Sequence, residues 1–306
     1  MEYIKRVPVA LSGVMLGTLA LGNLLQSYSE TIRAVCGLMA LFLLLLLLLK
    51  LLLFPAAVGE ELKTAVGAGV SATFPMSLML FSVYGKPWLG AGAQILWYFA
   101  IFLHLLLILY FTWRFVLHFE WKNVFTVWYI VYVGIVVSSL TAPAYERTDI
   151  GSAAFLFGFV TLLILLVLVS IRYRRFPDLP EPARPLLMIY AAPTALCTAG
   201  YIQSVTPKSA AFVTALCLFS NLIYLFALSK AVSYLKLPFY PSYAAFTFPF
   251  AITAIASKQS MNCLAKLGSP LPALQPVVLV ETAIALCLLL YSYIRFLLFI
   301  FGAKKS

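Results

Sequence analysis

Residues 73–77 read Thr-Phe-Pro-Met-Ser and residues 247–251 read Thr-Phe-Pro-Phe-Ala, each inside a long apolar stretch. The shared tripeptide sets a helix breaker, Pro75 or Pro249, at a matching place in two segments. Pro8 and Pro193 lie in two more such stretches and Gly134 in a fifth, at intervals of 56–67 residues. A breaker recurring about every sixty residues reads as an internal repeat. Proline in a spanning helix also frees a backbone carbonyl, which is tolerated only where protein or a water-filled cavity satisfies it. The five breakers therefore mark both a repeat and the level at which a polar path would run.

The surrounding composition is that of a membrane protein. Of 306 residues, 63% are apolar and 10% charged, and mean hydropathy is +1.02. Soluble domains carry about 25% charged residues. No hydrophilic block is long enough for a separate soluble domain, so residues 1–306 read as one unit. Lys5-Arg6 leads into a full-length apolar segment without a small-residue cleavage site, which argues against a removable leader. The net charge of +11 does not signal nucleic acid here, because the basic residues sit in loops and at segment ends, where they anchor helices at the membrane surface. The five cysteines (Cys36, Cys197, Cys217, Cys263 and Cys287) share no metal-ligand spacing, and no cofactor is expected.

Ten apolar segments are legible, over 7–28, 32–54, 65–84, 89–111, 125–143, 151–171, 186–205, 209–229, 243–257 and 275–299. Most approach the ~20 residues that cross a bilayer as helix. They are continuous apolar runs without the alternation of a membrane barrel. With ten spans, 15 of the 21 basic residues fall on the side of both termini and 6 on the other. The basic excess predicts an integral, multi-pass protein with both termini cytoplasmic.

Odd and even segments differ. Span 2 carries LMALFLLLLLLLK, and spans 4, 6 and 10 are similarly rich in Leu and aromatics, as suits lipid-facing helices. Odd spans carry the breakers together with small or hydroxyl residues, among them Ser12, Gly13, Gly17, Thr73, Ser77, Ser138, Thr198 and Thr253. Small residues allow close backbone approach, and hydroxyls bond across helices or face water. The reading is an all-α membrane protein of five helix-turn-helix units, each with a kinked inner helix and an outer lipid-facing helix, enclosing a narrow central pore.

The chain at this point resembles the tellurite-resistance/dicarboxylate transporter family, which includes bacterial TehA-type proteins and the slow-type anion channels of plant guard cells. The most specific part is Tyr243–Lys258, YAAFTFPFAITAIASK, which is similar to the ninth helix of the plant channels. The resemblance implies ten helices as five hairpins in quasi-fivefold arrangement, a homotrimer in the plasma (inner) membrane, and one pore per subunit. It also implies that Phe248 plugs that pore. Phe74, in the matching tripeptide, is the candidate for a second ring at similar depth.

Several features favour a passage for small inorganic or organic anions. The inner spans carry almost no Asp, Glu or His, whereas proton- or cation-coupled carriers commonly place such groups along the path. Glu281 in span 10 and His104 in span 4 read as packed groups of outer helices. Lys258 follows the ninth helix and supplies positive charge at a pore mouth, as Lys5 and Arg6 do at the other. Candidate pore-lining positions are Pro8, Ser12, Phe74, Pro75, Ser77, Gly134, Ser138, Pro193, Thr198, Pro249 and Thr253, with the hydroxyls as weak donors for low-affinity passage. The alternative is a secondary carrier for C4-dicarboxylates or tellurite-type oxyanions. An intramembrane enzyme is not favoured, because the spans hold no Gly-x-Ser-x-Gly, His-Glu-x-x-His or paired aspartates.

Overall fold

In the computed structural model, which describes residues 2–302, the breakers end and restart helices where simple kinks were expected. The first inner segment forms helix α1, Leu11–Leu25, only after Pro8. The outer helix α2 spans Glu30–Leu53. The third segment runs Ala65–Ser71, breaks at Ala72 and restarts as α3, Thr73–Leu89, which is followed by α4, Ala91–Phe111. The fifth segment, α5, divides into Val127–Tyr132 and Val137–Thr141 around a tight turn at Gly134–Val136, and α6 follows at Thr148–Arg175. A 3₁₀ stretch, Glu181–Tyr190, leads into α7, Ala191–Ser204, and α8 is Ala210–Tyr234. Another, Pro241–Phe246, leads into α9, Phe248–Lys266, and α10 is Leu274–Phe301.

Pro75, Pro193 and Pro249 thus occupy the first turn of a restarted helix. There the missing N–H costs nothing, since the first-turn donors have no helical partner. Gly134 answers a different need. A Cβ on it would lie 2.7 Å from Met76 Sδ and 3.1 Å from His104 Cε1. The imidazole fills the gap left by the break, and its Nε2 bonds the Val131 carbonyl at 2.9 Å. His104 is a packed histidine of an outer helix.

Among the described residues there are no strands, and seven helices are long and apolar enough to cross a membrane. Leu11–Leu25 and Gly134–Tyr145 are shorter apolar helices. The helix of the ninth segment continues nine residues beyond the expected end at 257, through the polar run Ser257-Lys258-Gln259-Ser260, and is not among the seven.

Burial separates the two kinds of helix. The apolar windows of α2, α4, α6, α8 and α10 are 28–39% buried, against 72% for Ala65–Leu89 and 100% for Glu181–Ser204. On α2, Leu38, Leu45 and Leu52 form one stripe and are 67%, 51% and 75% exposed. Leaving each such side chain in water would forgo ~1.5–3 kcal/mol, so this face suits lipid.

Each odd helix packs on the even helix that follows it, and the odd segments touch in the cyclic order α1, α3, α5, α7, α9 and back to α1. The two ends of the described chain meet. The Arg6 guanidinium donates to the Gly302 carbonyl at 3.0 Å, and the Tyr3 ring lies 5.9 Å from that of Phe301. Lys304 and Lys305, two of the basic residues assigned to this side, lie outside the described residues.

Candidate functional site

The five breaks meet around one cavity. Its wall takes Ala10 two residues after Pro8, Thr73 two before Pro75, then Gly134, Pro193 and Pro249 themselves. Between them lie Leu16, Val70, Met76, Tyr129, Val133, Leu196 and Phe248. The volume is about 50 Å³, room for a few water-sized occupants. The lining is almost wholly apolar.

On one side this cavity shares Ala10, Val70, Leu186, Pro241 and Ser242 with a wider mouth of about 320 Å³. On the other lies a cavity of about 240 Å³, lined by Asn23, Arg33, Thr141, Ile252 and Gln259 among others. Phe248 is the one residue that lines both this cavity and the central one. Beyond, Asn23, Gln26, Ile255 and Gln259 also border an outer vestibule of about 430 Å³ that reaches Lys258. Four cavities therefore follow one another through shared lining residues, and Phe248 is the one residue common to the second and third.

Local chemistry fixes that ring. The backbone breaks at Thr247, and α9 starts with Phe248 as its first residue. The Thr247 hydroxyl donates to the carbonyls of Gly13 at 3.0 Å and Ala244 at 2.7 Å, tying the break to α1. A Cβ on Gly17 would fall 2.5 Å from Thr247 Cβ and 2.8 Å from the Phe248 nitrogen. The Gly13-x-x-x-Gly17 motif thus seats α1 directly on the Thr-Phe-Pro backbone. Thr73, of the matching tripeptide, meets the other flank of α1, with its Oγ1 2.6 Å from Ser12 Oγ.

The hydroxyls expected along the path point elsewhere. Ser12 donates to the Val9 carbonyl, Ser77 to those of Thr73 and Ser12, and Ser138 to that of Ile135. Thr198 donates to the Thr194 carbonyl, and Thr253 to those of Pro249 and Ala191. None of the five is in the wall of the central cavity, nor are Pro8, Pro75 and Phe74. Hydroxyls in apolar helices find the carbonyl one turn back, which uses their proton locally.

Two cations border the vestibules on the Lys258 side. Lys258 Nζ donates to the Leu24 carbonyl at 3.0 Å and to Ser27 Oγ at 2.5 Å, and lies 5.0 Å from the centre of the Tyr28 ring. Arg33, which sequence reasoning placed only among the membrane anchors, lines the cavity next to Phe248. Its guanidinium stacks 4.3 Å from the centre of the Tyr84 ring and donates to Asn23 Oδ1 at 3.3 Å. At the opposite mouth Lys5 and Arg6 are not in the wall, which instead carries Glu61. One Glu61 oxygen accepts from the Val9 N–H at 2.9 Å and the other lies 3.9 Å from Lys50 Nζ.

A family model described as voltage-dependent anion channel matches residues 6–298. A comparison with curated proteins found no match.

Proposed function

This chain belongs to the voltage-dependent anion channel family, and from that premise we propose that it is a passive anion-selective channel closed at rest by Phe248. The observation that carries this reading is that Phe248 is the one residue lining both the central cavity and the cavity on its Lys258 side. A phenylalanine has two side-chain torsions, and moving it ~30° off a preferred rotamer costs on the order of 0.5–1.5 kcal/mol. A small displacement at the start of α9 is therefore enough to open the passage.

In this proposal ten helices form five hairpins around the axis, supported by the cyclic contact of the odd helices and the low burial of the even ones. The assembly is a homotrimer with one passage per subunit. Both termini are cytoplasmic in the plasma membrane, supported by their meeting at one end and by the basic excess there.

The apolar central wall sets the selectivity. An ion entering it loses hydration and gains no strong ligand, so permeation follows the cost of dehydration. Glu30 lines the same vestibule as Lys258 and lies 3.7 Å from Arg33, so Lys258 supplies the excess positive charge that raises local anion concentration at this end without entering the narrow part. The expected order is nitrate or iodide above chloride, and chloride above fluoride. Reversal potentials under bi-ionic conditions test this, and a fluoride-first series contradicts the weak-site passage.

The absence of Lys and Arg from the central wall also weighs against a dicarboxylate carrier, which needs a fixed cationic site. Liposomes holding the purified protein separate the two. A channel gives non-saturating chloride flux that follows membrane potential. Saturable, proton-dependent malate uptake with no chloride flux would reverse the assignment.

A further inference from the structure

Away from the axial passage, a basic pocket of about 520 Å³ lies where the turn before the third segment meets the end of α4. Its wall takes Lys63 from that turn, Arg114 and His118 from the end of α4, and Lys122 from the connection to α5. Hydrogen bonds hold these pieces in place. The Tyr110 hydroxyl donates to the Leu62 carbonyl at 3.0 Å, His118 Nδ1 to the Trp113 carbonyl at 3.0 Å, and Trp128 Nε1 to the Asn123 carbonyl at 2.8 Å. The pocket lies at the end where the two ends of the described chain meet. Glu61, just before Lys63, accepts from the Val9 N–H, and Lys50 donates to the Lys5 carbonyl at 2.7 Å.

The charge of this pocket is unbalanced. Lys63, Arg114 and Lys122 share a wall with one carboxylate, Glu120. One Glu120 oxygen already accepts from Asn123 Nδ2 at 2.9 Å and lies 3.2 Å from Lys122 Nζ. Lys63 pairs with Glu60 outside the pocket, but those side chains are 64% and 71% exposed, and such surface pairs are weak. Among the described residues no acid pairs with Arg114. The excess continues behind the wall. Arg172 is 4% exposed, its Nε has no partner, and its guanidinium lies 4.9 Å from the centre of the Phe125 ring, which lines the pocket. Arg175 lies 5.4 Å from the centre of the Trp121 ring, next to Lys122 in the chain. Neither arginine has a carboxylate partner among the described residues. A buried guanidinium in that position is stabilised by negative charge brought near it.

Basic membrane anchors reach toward the surface singly. Here cations from three parts of the chain converge on one concave space, which suits a phosphate: a guanidinium binds it with two parallel hydrogen bonds and ammonium groups add point charges. The apolar flank says which phosphate. Leu105, Leu109, Trp113 and Leu117 follow at four-residue steps along α4 and its extension, and all are exposed. Trp113 immediately precedes Arg114, so this stripe leads to the pocket and offers acyl chains a path that a soluble anion has no use for. We propose that the pocket binds the headgroup of an anionic phospholipid, with its phosphate between Lys63, Arg114 and Lys122 and its acyl chains along α4. A zwitterionic headgroup fits poorly, because its own ammonium group would enter the same excess of positive charge. In the orientation proposed above, the pocket faces the cytoplasmic leaflet, where anionic lipid attracts basic clusters. Thr64 and Val66 line both this pocket and the mouth of the passage, so the lipid is seated against the wall of that mouth.

The test is thermal unfolding of the purified full chain in a neutral detergent, titrated with phosphatidylglycerol or with phosphatidylcholine of the same acyl chains. The wild type is expected to unfold several degrees higher with phosphatidylglycerol, with saturation, and to need about tenfold more phosphatidylcholine for the same shift. Lys63→Gln, Arg114→Gln and Lys122→Gln combined should lose that preference. Arg184→Gln, Lys230→Gln and Lys236→Gln combined remove the same charge elsewhere on this side of the ten-span order and should keep it. Equal responses to the two lipids, or equal loss of preference in the two triple variants, overturn the site. A shift of the same size from inorganic phosphate alone identifies a soluble anion and overturns the lipid assignment. Should the first triple variant fail to fold, displacement of a fluorescent phosphatidylglycerol decides. Binding about tenfold weaker in Arg114→Gln supports the site, and unchanged binding removes it. None of these readouts depends on whether the axial passage conducts anions.

Discussion

Phe248→Ala is expected to convert a membrane with almost no chloride or nitrate current into one that conducts strongly. Phe248 is 6% exposed and is the one residue lining both the central cavity and the next cavity toward Lys258. Removing it joins a space of about 50 Å³ to one of about 240 Å³ with no other side chain common to both. If the closed ring contributes about 3 kcal/mol to the barrier, its loss raises conductance about a hundredfold. Truncating a phenylalanine in a packed core costs ~3–5 kcal/mol, but this ring is already bordered by open space on two sides, so the stability loss should fall below that range. Two controls locate the effect. Phe250→Ala removes a ring that is 0% exposed and packed on Tyr224, and should lower yield without opening a passage. Phe74→Ala should leave the current near wild type, because Phe74 lines neither cavity. Voltage clamp at matched surface amounts measures all three. A silent Phe248→Ala that is folded and present in the membrane would contradict the plug.

The contrast between Phe248 and Phe74 shows where the sequence stops being legible. Both precede a proline and follow a threonine, and both segments break nearby. In the ninth segment the new helix begins at Phe248, and in the third it begins one residue earlier in the motif, at Thr73. In the third segment Thr73 lines the central cavity and Phe74 does not, whereas in the ninth Phe248 does. Tripeptide identity cannot register that offset. The breakers themselves were readable, because proline and glycine act through the backbone. The hydroxyls were not, since a serine that bonds its own helix and one that faces a pore look alike in sequence. Arg33 went unnoticed for a similar reason. Counting charges by side treats every arginine as an anchor, and only the fold sets this one beside the constriction.

Gly17→Ala should have the second-largest effect, because it acts on the backbone that holds the ring. The added carbon would sit 2.5 Å from Thr247 Cβ, 2.6 Å from Thr247 Oγ1 and 2.8 Å from the Phe248 nitrogen. A flexible side chain could swing aside, but the Phe248 nitrogen moves only with the start of α9. Overpacking of this kind costs typically ~1–3 kcal/mol, and here the relaxation that relieves it also shifts the plug. The expected result is a lower unfolding temperature in detergent together with leak current in the protein that folds. Gly13→Ala is the internal comparison. Its added carbon meets Ala244 Cβ at 3.1 Å and then nothing closer than Thr73 Oγ1 at 3.9 Å. It should be milder on both readouts, although both glycines belong to one motif. Replacing Thr247 with Gly in the Gly17→Ala background removes two of the three close atoms and should recover part of the stability. It leaves the contact with the Phe248 nitrogen, so the leak should persist. If Gly17→Ala is as stable and as silent as wild type, α1 does not hold the ring through the Thr-Phe-Pro backbone, and that account of its control fails.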